Sequence, residues 1–80
     1  MKKNILYINI TNVHKEEVET LLNELKENDF DYKQINAKSK NKLDNRILSI
    51  IVIEDISDYI NNLIPYLKLN YWNYKINEEF

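Results

Sequence analysis

Glycine is absent from this 80-residue chain, where average usage of about 7 % would supply roughly five or six. Every glycine-rich phosphate loop of the dinucleotide or P-loop type is therefore excluded. Asparagine is abundant instead, and it is the next residue best able to adopt positive φ. Asn28, Asn45 and Asn70 stand where chain reversals are wanted, and each is expected to make one. Cysteine is also absent, which removes disulfides, thiolate metal sites and a cysteine nucleophile together and fits a reducing compartment. One histidine leaves little room for zinc or triad chemistry. Proline occurs once. No apolar run approaches the roughly twenty residues a membrane span needs. The run behind Met1-Lys2-Lys3-Asn4 is broken at Asn9 and is too short for a secretion signal, so a cytoplasmic protein is expected.

What is present has the balance of a folded domain: 44 % hydrophobic and 30 % charged residues, with a formal net charge of −2. A strongly acidic or basic partner is not implied by the total. The length allows one domain, residues 1–80.

Asn4 to Ile10 alternates as a strand, with Leu6, Ile8 and Ile10 on one face and Ile5, Tyr7 and Asn9 on the other. Thr11 and Asn12 offer an N-cap, and Val18, Leu21, Leu22 and Leu25 recur at helical spacing, which predicts a helix over about 13–28. Phe30 to Lys38 reads as a second strand whose alternation falters at Gln34 and Ile35, as a bulge or a frayed end would make it. A polar hairpin, Ser39 to Asn45, leads to Arg46 to Ile53. That segment is almost wholly apolar and suits a central strand covered on both faces. Asp55 and Asp58 resemble a capping pair for a second helix carrying Ile56, Tyr59, Ile60, Leu63 and Leu67. Pro65 inside it predicts a kink or a stop near Ile64. Trp72, Tyr74 and Ile76 alternate as a final strand. The order β-α-β-β-α-β in elements this short predicts an α+β fold: a ferredoxin-like plait, with a four-stranded antiparallel sheet and two helices on one face.

Such a plait leaves one sheet face without helices. Tyr7 belongs there, beside either Ile47, Ile51 and Ile53 or Leu48, Ile50 and Val52. An exposed aliphatic face marks an interaction surface, and a lone core of this length is marginal without a partner. The alternative is that the fourth strand and the C-terminal tail fold over it. Charge is segregated as well. Glu16, Glu17, Glu19, Glu24, Glu27, Asp29 and Asp31 oppose a single Lys26, whereas Lys33, Lys38, Lys40, Lys42 and Arg46 cluster around the hairpin against Asp44. His14 and the carboxylates Glu54, Asp55 and Asp58 form no constellation with catalytic or calcium-loop spacing. No catalytic residue, metal or cofactor is assigned.

The expected function is a small non-enzymatic protein-binding module. Size, segregated charge and an AT-rich composition suit a phage or mobile-element inhibitor of a host enzyme or defence complex, anti-CRISPR activity being one example. Tyr7, Ile51, Ile53, Trp72 and Tyr74 would anchor the partner, another protein or a second copy, while Glu16, Glu17 and Glu24 steer it. The run Leu6-Tyr7-Ile8-Asn9-Ile10 resembles the shorter signature of the RNA-recognition motif, where an aromatic in the second place stacks a base. That resemblance implies the alternative, an RNA or single-stranded nucleic-acid binder using Tyr7 with Lys38, Lys40, Lys42 and Arg46. The family's third strand carries aromatics flanked by glycine, and Arg46 to Ile53 has neither. Ferredoxin-like nucleases, including the small CRISPR adaptation subunit, place a carboxylate near the end of the first strand, where this chain has Asn9 and Asn12.

Overall fold

The computed structural model describes residues 4–56 and 60–80. Its elements are β1 (Leu6–Asn9), α1 (Lys15–Glu27), β2 (Lys33–Lys38), β3 (Ile47–Ile53), α2 (Ile60–Leu69) and β4 (Asn73–Ile76). The strands form one antiparallel sheet in the order β2-β3-β1-β4, with β1 and β3 central. This is the ferredoxin-like plait expected from the element order.

Cross-strand partners share a face, so the register assigns every strand residue to a side. Leu6 pairs with Ile53 and Ile76, and Ile8 pairs with Ile51 and Tyr74. On this side Leu21 and Leu25 of α1 and Leu63 and Leu67 of α2 complete the main core. All of its deepest members are aliphatic, and no buried side-chain polar atom among the described residues lacks a hydrogen bond.

The helix boundaries show how a chain without glycine turns. The α1 N-cap is His14, whose Nδ1 accepts the Glu16 N–H at 3.4 Å, rather than Thr11 or Asn12. Thr11 is committed elsewhere: its Oγ1 accepts the Ser49 N–H at 2.9 Å and ties the β1 end to β3. Asn12 reverses the chain at φ 61°. At the other end, Asn28 Nδ2 donates to the Glu24 carbonyl at 2.8 Å, and Asn70 repeats the bond to Tyr66 at 2.9 Å. Neither asparagine takes positive φ. The left-handed residue is the next one, Asp29 or Tyr71, each at φ 59°. Phe30 and Trp72 N–H then bond back to Leu25 and Leu67 carbonyls, both at 2.9 Å, closing two Schellman motifs. Asn45 also lacks positive φ. The hairpin turns instead on side-chain acceptors, with Asn41 Oδ1 taking the Leu43 N–H and Asp44 Oδ1 the Arg46 N–H.

Three further expectations need correction. The β2–β3 register runs without interruption from Lys33↔Val52 to Lys38↔Ile47, so Gln34 and Ile35 mark no bulge. Gln34 breaks the alternation because β2 is an edge strand, exposed from Lys33 to Asn36. Asp55 sits at φ 59°, outside cap geometry, in the turn where the Ile56 N–H reaches Asn4 O at 2.8 Å, while its proposed partner Asp58 lies outside the described residues. Of the kink or stop expected at Pro65, the stop does not occur: α2 continues to Leu69, with Leu63 and Leu67 on either side of the proline held in the core.

Candidate partner-binding surfaces

On the helix-free side, the register gathers Tyr7, Ile35, Ala37, Leu48, Ile50 and Val52. Ile51 and Ile53 are not among them. They are 0 % and 1 % exposed beneath the helices, so neither is available as a partner anchor. β3 has no polar side to mark its orientation, and its pairing with β1 decides the matter. Trp72 and Tyr74 also belong to the helix side, half-buried against the main core.

The helix-free face is largely closed by the chain itself. Asn77, at φ 58°, accepts the Ile5 N–H on its Oδ1 and donates its own N–H to Ile5 O, both at 2.8 Å. From there residues 77–80 cross the sheet. Phe80 packs with Ile5 and Tyr7 against Leu48, Ile50 and Val52, leaving those three 3 %, 3 % and 6 % exposed. The Phe80 carbonyl accepts the Lys40 N–H at 2.8 Å, Lys40 Nζ meets Glu79 at 3.1 Å, and Lys75 Nζ stands 4.9 Å from the Phe80 ring centroid. A slot of about 90 Å³ remains between this strap and the sheet, lined by Tyr7, Ile35, Ala37, Leu48, Ile50 and Phe80 among others.

The basic hairpin is partly neutralised. Arg46 clasps Asp44 through Nε and Nη2, both at 3.0 Å, which lowers the Asp44 pKa from its ordinary value. Lys40 is paired to Glu79, as described, and Lys33 to Glu54 at 3.0 Å. Lys38 and Lys42 are exposed. Tyr7 is half-buried under the strap.

A different region remains open, at the corner where α1 begins, α2 ends and β4 starts. Two adjoining clefts of about 180 and 190 Å³ meet there and share Glu17, Asn70 and Trp72. Tyr66 and Thr20 line one; Asn9, Thr11, Val13, Tyr71 and Asn73 line the other. The Schellman turn shapes this corner. It tucks Trp72 against the core and projects Tyr71 outward at 94 % exposure, next to Leu69 at 79 %. A bulky residue at positive φ costs of order 1–3 kcal/mol, so this exposed tyrosine is held at some expense. Glu16 and Glu17 are exposed in the first turn of α1. Glu24 is half-buried and accepts from Asn28 Nδ2 at 3.4 Å. Burial and the Glu24 charge together push the Tyr66 hydroxyl pKa up.

Of the expected anchors, the corner thus brings together Trp72 and Glu17, and leaves Tyr7 on the opposite sheet face. Tyr66, Leu69, Tyr71 and Phe80 were not singled out from sequence. Only Tyr71 carried a local signal: a large apolar residue directly after a helix-ending asparagine, off the buried stripe. Comparison with protein-family models, with curated proteins and with solved structures finds no match. Among the described residues, no helix is long and apolar enough to cross a membrane.

Proposed function

We propose that this chain is a non-enzymatic protein-binding module that docks through the α1–α2–β4 corner, acting as an inhibitor that occludes a basic surface of its target. The observation that supports it is Tyr71, exposed at positive φ and lining a cleft shared by Trp72 and Glu17 of the acidic first turn of α1, with exposed Leu69 two residues before it in the chain. Aromatic anchors ringed by polar groups are the common composition of binding hot spots. Segregated acidic charge steers association with a basic partner and makes its rate depend on salt. The corner replaces the sheet face as the lead surface because the strap already occupies that face. The same fact places nucleic-acid stacking on Tyr7 second, since its ring packs into the cluster under Phe80.

The test is calorimetric titration of a purified target, a host enzyme or defence complex that the chain inhibits, against the wild type and variants. Tyr71→Ala is expected to weaken binding by more than about 1 kcal/mol, while Ile35→Ala, on the strap side, leaves it unchanged. Equal affinity of wild type and Tyr71→Ala would overturn the assignment.

A further inference from the structure

We propose that the clefts around Trp72 form a seat for an arginine side chain presented by the partner protein, with Glu17 as its counter-charge. The inference rests on the corner being the docking surface and names what that surface recognises. Three observations carry it. Glu17 lines both clefts, and among the described residues no lysine, arginine or histidine pairs with it. Lys15, Lys68 and Lys75, each two residues from a cleft residue, line neither cleft. Each cleft sets two aromatic side chains with Glu17 among threonines and asparagines, Tyr66 and Trp72 in one cleft and Tyr71 and Trp72 in the other.

An arginine uses both features at once. Its planar guanidinium stacks on aromatic faces and offers a fork of N–H donors that matches a carboxylate. A lysine would gain the charge but not the stacking fork, and a neutral ligand would gain nothing from the Glu17 charge. Asn70 and Asn73 add side-chain amides at the rim, able to accept the donors that Glu17 leaves over. Near this corner α1 carries Glu16, Glu17 and Glu19 against Lys15, and the Glu24 charge acts on Tyr66, a net negative field that favours a cation at this end of the molecule.

The chain's single tryptophan lies in the seat, so its emission reports occupancy directly. The probe is a blocked tripeptide, acetyl-Gly-Arg-Gly-amide, titrated at low salt, with citrulline and lysine peptides of the same length as controls. A saturable change in Trp72 emission is expected with arginine, at least tenfold weaker with citrulline and several-fold weaker with lysine. Glu17→Gln should weaken arginine binding at least tenfold, while Glu19→Gln, which lies outside both clefts, leaves it unaltered. Circular dichroism and a melting curve check that each variant is folded. No saturable response, an equal response to citrulline, or indifference to Glu17→Gln overturns the proposal. The two readings fail separately. If the peptide does not bind but the purified target binds with Tyr71-dependent affinity, the corner stands and the arginine seat falls. If the peptide binds and the target is indifferent to Tyr71→Ala, the seat stands and docking through the corner falls.

Discussion

The middle of β3 is buried to almost the same extent on its two faces, and by very different means. On one side two helices contribute Leu21, Leu25, Leu63 and Leu67 to a core with Leu6, Ile8, Ile51 and Ile53. On the other, Leu48, Ile50 and Val52 are covered by Phe80 and Tyr7 with a strap of four residues. The helices are cooperative units whose backbone bonds are satisfied internally, so their cover is lost only on unfolding. The strap has no such ladder. It hangs on the Asn77 clasp to Ile5 and Asn4, one bond from Lys40 to the Phe80 carbonyl, the exposed ion pairs Lys40–Glu79 and Lys75–Glu78, and one cation–π contact. Equal exposure therefore conceals unequal stability, and local opening free energies are expected to differ between the two covers.

Substitutions can separate the two, and the largest effect belongs to the helix side. Leu25→Ala removes a fully buried side chain and is expected to cost about 2–5 kcal/mol in denaturant unfolding, a large share of the stability of a domain this small. Phe80→Ala should cost less, roughly 1–2 kcal/mol, because Phe80 is only half-buried and the face can partly relax. Its signature is different in kind: binding of a hydrophobic dye should rise while the circular dichroism spectrum stays unchanged. A loss as large as that of Leu25→Ala, with no dye binding, would show that the strap folds as part of the main core. Smallest is Lys40→Ala. The ion pair to Glu79 is exposed on both partners, so its removal should cost under about 1 kcal/mol and reduce the salt dependence of strap opening measured by amide exchange, leaving the part due to Lys75 and Glu78. The backbone bond to the Phe80 carbonyl survives the change. Opening that keeps its full salt dependence would mean that Lys75 and Phe80, rather than Lys40 and Glu79, fasten the strap.

The same contrast explains which surface was legible in advance. The alternation of β1 correctly puts Leu6, Ile8 and Ile10 under the helices because its other face carries the less apolar Tyr7 and Asn9, and the stripe Leu21 and Leu25 orients α1 against its polar side. β3 carries none. Ile51 and Ile53 could be placed on the open face from sequence because nothing local forbids it, and only the pairing Leu6↔Ile53 and Ile8↔Ile51 sends them inward. The acidic face of α1 was equally plain, yet its meeting with Trp72 across the corner was not, since Glu17 and Trp72 are brought together by α2 and by the turn at Tyr71. The turns were half legible. An asparagine does mark the end of each helix, but it serves through its side-chain amide, and the strained dihedral passes to Asp29 and Tyr71.

What the sequence determines by itself is the order and type of the elements, the inward stripe of each amphipathic one, and the exclusion of thiol and glycine-loop chemistry. These follow from periodicity and residue type, which act over a few residues and need no knowledge of the rest of the chain. Which side of β3 meets the helices, the closing of the other side by Phe80, and the cleft that joins Glu17 to Trp72 were decided by the tertiary structure. Each depends on contacts between residues far apart in the chain, as between Ile5 and Asn77, and on a strand whose two faces are chemically alike until its neighbours distinguish them.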